Sequence, residues 1–234
     1  MDFRDRAVLV TGAAGNLGRA VAAGFAARGA RLALLGRDRA SLERTHGPDS
    51  ADRLLLAADL RDAAAVEAAV AEAAARFGGI DVLCNIAGGF RMGEAVHETS
   101  AKTWDLLMDM NARSVLNACR AVVPRMLAAS RGRIVNVGAA GAQRGAARMG
   151  AYTASKAAVQ RLTEAMSAEL RERGINVNCV LPSIIDTPEN RAGMPGADPA
   201  RWVSPEDLAQ VILFLASDAA RAIHGASVPV TGLS

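Results

Sequence analysis

The sequence predicts an α/β fold in which one parallel sheet of seven strands carries helices on both faces. Two observations predict it: short apolar runs alternate with longer Ala-rich helical stretches from end to end, and the stretches between runs are long enough to be crossovers. With 234 residues, 51% of them hydrophobic and 22% charged, the chain can build one large core and is too apolar for disorder. No linker divides it, so a single domain over 1–234 is expected. Ligands in such sheets bind beyond the strand carboxyl ends, where the strand order reverses.

Strands are expected at 7–10, 31–35, 53–57, 82–85, 133–137, 176–180 and 227–230, each built on Val, Leu or Ile. Helices fill the gaps near 17–28, 38–45, 62–76, 99–128, 151–173 and 205–216. The first is amphipathic and follows a glycine-rich turn. Asp38 is placed to cap the second. The third is low in complexity, yet Val66 and Val70 with Glu67 and Glu72 give it helical period. The fourth is the longest, and the fifth mixes alanines with β-branched residues at helical spacing. Prolines 182, 188, 195 and 199, with Gly193 and Gly196, make 182–202 an irregular segment before the last helix. A long loop there is a candidate lid over a substrate, spanning about 183–203.

Composition excludes several functions. The net charge is +3, and 25 of the 27 basic residues are arginines spread evenly among acids, so no basic stripe marks a nucleic-acid surface. Cys84, Cys119 and Cys179 lie in apolar segments without CxxC spacing, as expected of a reducing compartment. The N-terminus lacks the apolar core of a signal peptide, and no apolar run reaches membrane-spanning length. A cytoplasmic protein without membrane contact is expected. His46, His97 and His224 are scattered, so no metal site is expected.

Tyr152 is the only tyrosine, and Lys156, one of two lysines, follows four residues later. On a helix that spacing puts phenol and ammonium on one face. A nearby cation stabilises a phenolate and lowers its pKa from about 10, which makes a general acid for a carbonyl oxygen. After the first strand stands Thr11-Gly12-Ala13-Ala14-Gly15-Asn16-Leu17-Gly18, where glycines permit a tight turn and the helix N-terminus meets a pyrophosphate. Gly12, Asn16, Leu17 and Gly18 are the candidate cofactor contacts. At the end of the second strand Gly36 takes the place of a ribose-binding acid, and Arg37 suits a 2′-phosphate. NADP(H) is therefore favoured, with NAD(H) possible; the rival reading of Arg37 is a solvated loop residue. Asp59 and Leu60 either contact the adenine edge or, for Asp59, cap the next helix.

The TGxxxGxG turn, Asn85-Ile86-Ala87-Gly88 after strand four, Asn111 in the fourth helix and YxxxK together resemble the short-chain dehydrogenase/reductase family, over almost the whole chain. The resemblance implies a Rossmann-type sheet, a nicotinamide cofactor, and a homotetramer or homodimer built through the fourth and fifth helices. It implies Tyr152 as acid/base, Lys156 on the nicotinamide ribose, and Asn111 anchoring a water that relays protons. Asn85, Ala87 and Gly88 would line the cofactor, with Cys84 replacing an asparagine. Pro182, Ile185 and Thr187 would fix the carboxamide, with Ser183 where glycine is usual.

One position departs from the family. Its catalytic serine lies thirteen residues before the tyrosine, and here that residue is Ala139. Losing such an oxyanion donor costs on the order of 3 kcal/mol of transition-state stabilisation. Gln143 and Ser183 are candidate substitutes, each also readable as a plain loop residue. Residues 186–202, with Met194 and Trp202, locally resemble the substrate loop of dihydropteridine reductases, relatives that lack the serine. Ala139, Gln143, Met149 and Met194 are the candidate substrate-pocket residues. The expected function is NADPH-dependent reduction of a small-molecule carbonyl, a 3-oxoacyl thioester or another ketone. The alternatives are reduction of a quinonoid, dihydropterin-like substrate, and a non-catalytic NADP-binding sensor or scaffold.

Overall fold

The computed structural model describes residues 1–234, and every expected strand joins one sheet. The strands are β1 (Ala7–Thr11), β2 (Arg31–Gly36), β3 (Arg53–Ala57), β4 (Val82–Asn85), β5 (Gly132–Val137), β6 (Ile175–Pro182) and β7 (Ser227–Val230). All pair in parallel, in the order β3-β2-β1-β4-β5-β6-β7. From β1 the chain winds outward to β3, then returns to lay β4 on the other side of β1, so the order reverses between them.

Alternation along the strands feeds two cores. Leu9 of β1 and Leu35 of β2 enter one core with Val66, Val70 and Phe77 of α3 (Ala63–Phe77). Val8, Val10 and Leu34 enter the other, with Val21 and Phe25 of α1 (Asn16–Ala26). Helix α2 (Arg39–His46) starts behind Asp38, whose carboxylate accepts from the Ala40 and Ser41 amides, the capping role read from sequence.

The expected fourth helix is divided. Helix α4 (Ala101–Met108) passes through a π-helical turn, Asp109–Arg113, into α5 (Ser114–Ala129). Such a turn inserts an extra residue into the helical repeat, here beside Asn111, and propensities do not encode it. Helix α6 (Gly150–Leu170) carries Tyr152 in its first turn. Segment 182–202 is more ordered than a bare loop. It holds α7 (Pro188–Gly193), and an Ile185–Val203 bridge docks it beside α8 (Pro205–Ala216), with Trp202 buried.

Candidate active site

A cleft of about 500 Å³ opens at the carboxyl ends of β1, β2 and β3 and at the exit of β4, where the strand order reverses. Its floor is the turn after β1. Gly12 sits at φ +64°, and a Cβ there would come within 2.8 Å of Ala87 Cα. A Cβ on Gly18 would collide with the Gly12 carbonyl oxygen. Only glycine fits either place. Gly15, Asn16 and Leu17 also line the cleft. The N-terminus of α1 has neither a side-chain cap nor an acid in its first turn, whereas α3 and α8 are capped by Asp62 and Ser204. Its free amides thus leave room for an anion.

At one end stand Gly36, Arg37, Asp59, Leu60 and Arg61. Arg61 grips the Asp59 carboxylate through its guanidinium and its amide, which holds that carboxyl down to about 2. Because Asp62 caps α3, Asp59 is not the helix cap. At the other end are Ile86, Ala87, Gly88 and Thr187. Asn85, expected to line the cofactor with them, is turned away. It is buried in the sheet, and its amide donates to Asn136 Oδ1 of β5 at 2.8 Å. Asn16 is partly engaged as well, donating to Glu189 of α7 at 2.9 Å. Thr187 caps α7 by accepting from the Asn190 amide. Pro182, buried against Val230, and Ile185, whose carbonyl accepts from Asn190, line neither this cleft nor the mouth beside Tyr152.

Beyond Gly88 lie the candidate catalytic groups. A Cβ on Gly88 would reach Asn111 Oδ1 at 2.8 Å and Lys156 Nζ at 3.0 Å, so these three converge. Asn111 is fully buried. It accepts from the Gly89 amide and donates to the Gly89 carbonyl and to Ser155 Oγ. Lys156 donates from Nζ to the Val137 carbonyl at 2.8 Å. Burial depresses its pKa to about 8, and burial also pushes the Tyr152 phenol up to about 12. The lowered phenol expected from the sequence is therefore absent. Lys156 directs its charge at a carbonyl, and desolvation governs Tyr152.

Beside Tyr152 a small mouth is bordered by Arg91, Met92, Arg148 and Met149, and the Phe90 ring meets Tyr152 edge-on at 4.8 Å. Ala139 is buried and offers no donor. Ser183 does not replace it, since its hydroxyl donates to the Thr231 carbonyl and shares a hydrogen bond with Ser234. Gln143 is exposed, and Met194, half-buried at the end of α7, lines neither opening. Leu106, Met110 and Ser114 of the cleft wall escaped the sequence reading, although their spacing of four marks one helical face. Arg61 and Phe90 had no such signal.

A family model described as short chain dehydrogenase matches residues 6–196. The chain belongs to the short-chain dehydrogenase family. This dehydrogenase is 36% identical to D-threitol dehydrogenase of Mycolicibacterium smegmatis, over 99% of this chain and 94% of that protein. It is 35% identical to 2-(R)-hydroxypropyl-CoM dehydrogenase of Xanthobacter autotrophicus, over 97% of each chain. Among solved structures, levodione reductase superposes with a TM-score of 0.90 at 31% identity, over 98% of this chain and 97% of that one. The dehydrogenase is thus an oxidoreductase of a family that uses NAD(P)(H). No helix is long and apolar enough to cross a membrane.

The buried lysine has a consequence for stability. Folded, Lys156 loses its proton near pH 8; unfolded, near its ordinary 10.5. Between those values the unfolded chain holds more protons, so stability rises with pH, and the Tyr152 effect of opposite sign begins only above 10. In urea unfolding of the nucleotide-free protein, the parent should gain on the order of 2 kcal/mol over Lys156→Met between pH 7.5 and 9.5. Parallel pH profiles would refute a buried ammonium.

Proposed function

We propose that the dehydrogenase reduces a small-molecule ketone, such as a 3-oxoacyl thioester, with NADPH, and that Tyr152 delivers the proton to the carbonyl oxygen. The observation that carries this reading is the convergence of Lys156 and Asn111 on Gly88, at the end of a cleft built for a dinucleotide, with Tyr152 one helical turn from Lys156. The glycine turn and the uncapped start of α1 would hold the pyrophosphate, and Ala87, Gly88 and Thr187 the nicotinamide end. NADP is favoured because Gly36 puts no acid at the end of β2, while Arg37 borders the cleft and the Asp59 carboxylate is already gripped by Arg61. When bound, the cofactor supplies the hydride. Tyr152, protonated at neutral pH, is in the state a general acid needs. Lys156 beside it favours the phenolate left after transfer, and Asn111 fixes the Gly88–Gly89 backbone that separates cleft from mouth.

The relatives are named for different substrates: D-threitol, 2-(R)-hydroxypropyl-CoM and levodione. They support a hydroxyl–carbonyl interconversion and leave the substrate class to the mouth of this chain. The reading includes a single catalytic domain acting in the cytoplasm. It also includes a homotetramer or homodimer, supported by Trp104 and Leu116, exposed on α4 and α5. One observation favours a second substrate reading. With Ala139 in place of an oxyanion donor, an activated acceptor such as a quinonoid dihydropterin needs the least help.

Three measurements test these readings. Tyr152→Phe should lower kcat by roughly 10²–10⁴-fold with NADPH binding, followed by its fluorescence, nearly unchanged; equal turnover would remove the phenol from the reaction. The parent should bind NADPH more tightly than NADH, and Arg37→Leu should erase most of that difference. Ala139→Ser should raise turnover of simple ketones by about tenfold or more if the parent relies on an activated acceptor. Efficient turnover of simple ketones by the parent would end the second reading.

A further inference from the structure

The mouth beside Tyr152 carries positive charge that the fold does not use. Arg91 and Arg148 both border it and both are exposed, and neither guanidinium meets an acceptor of the chain. Arg113 and Arg191 are paired with Asp109 and Asp186, whereas Arg144, on the same loop as Arg148, is also without an acceptor. The one acid at the mouth is already engaged: Glu94 accepts from the Ser100 amide at 3.0 Å and from Thr103 Oγ1 at 2.8 Å. The two arginines arrive on separate loops that are tied together, the Gly93 amide donating to the Arg148 carbonyl at 2.9 Å. Arg148 holds φ +61°, a left-handed conformation unfavourable for a residue with a side chain, and it does so where its backbone meets the other loop. The opening itself is small, about 10 Å³, with Thr99 and Thr103 in its lining; the apolar surface beside it is the exposed pair Phe90 and Met92, Phe90 standing edge-on to Tyr152.

We propose that the substrate is an anionic carbonyl compound, with a carboxylate received by Arg91 and Arg148 and an apolar body laid on the exposed Phe90 and Met92. This rests on the ketone-reducing reading above. A guanidinium is planar, always charged and weakly hydrated, and it forks onto a carboxylate through two parallel hydrogen bonds. Two of them on one rim fix an orientation as well as an affinity. Because Tyr152 borders the same opening as both arginines, an anion held by them would keep the carbonyl of a short keto acid on the Tyr152 side.

Calorimetry with 4-oxo-4-phenylbutanoate and its methyl ester tests this, on the NADP-loaded parent and on Arg91→Ala, Arg148→Ala and the double variant. The acid should bind the parent at least tenfold more tightly than the ester. That preference should fall to within twofold in the double variant, and raising salt to 0.5 M should weaken the acid selectively. An acid that does not bind, a parent that prefers the ester, or a preference that survives in the double variant overturns the proposal. NADPH oxidation, run in parallel, separates the two ideas. Arginine-dependent binding of the acid without reduction of any ketone would sink the proposed function and leave the anion site standing; equal affinity for acid and ester with turnover of both would do the reverse.

Discussion

The Thr11 hydroxyl, buried at the carboxyl end of β1, accepts hydrogen bonds from the Ile86 and Ala87 amides at 3.0 and 3.2 Å. Thr11 and Asn85 are register partners, so without this bond two chains would leave adjacent strands independently. With it, the glycine turn and the segment after β4 become one surface. Gly12 can then approach Ala87 so closely that a β-carbon is excluded, and the cleft acquires a floor. The same tie sets the path of Gly88 and Gly89, which Asn111 holds from the other side through both faces of its amide. The π turn has a reason in this geometry, since it is the part of the helix that carries Asn111.

Electrostatically the site is poised against charge. Burial favours the neutral phenol of Tyr152 and draws the Lys156 ammonium to within a few pH units of neutrality. A buried ammonium with one carbonyl partner has two unused donors. An anionic phenolate beside it would relieve both groups at once, because each would supply the counter-charge the other lacks. On the proposed reading the phenol stays neutral at rest, and the ammonium would offset its charge once the proton has moved. That is the differential a general acid needs.

Much of the fold was legible because periodicity is a strong signal. The β-strands were readable as apolar runs, and Asp38 as a cap, since both depend on nearest neighbours in sequence. What escaped depends on neighbours in space. Asn85 and Asn136 are register partners on adjacent strands, so their amides pair, but that requires the order β4-β5 to be known. The orientation of Lys156 toward Val137 is likewise a fact of packing, and the i to i+4 spacing says nothing about it. The docking of Ser183 on Thr231 and Ser234 also joins residues far apart in sequence, whereas the Asp59–Arg61 pair is local but carries no distinguishing pattern. At Gly12 and Gly18, by contrast, steric exclusion admits only glycine, which is why the tight turn was legible in the sequence.

The alanine at 139 and the unpaired arginines bear on one another. An oxyanion donor acts only as charge develops, and its loss costs about 3 kcal/mol in the transition state. Ion-paired hydrogen bonds to a carboxylate are each worth about 1.5–3 kcal/mol, and they act in ground and transition states alike. By themselves they tighten binding without speeding the chemical step. They help the reaction to the extent that they immobilise the carbonyl against Tyr152, since correct placement of reacting groups contributes several kcal/mol of its own. A substrate held at both ends needs less stabilisation at its oxygen than one free to rotate. If the substrate carries the proposed carboxylate, orientation by the two guanidiniums would stand in for the donor that Ala139 does not supply.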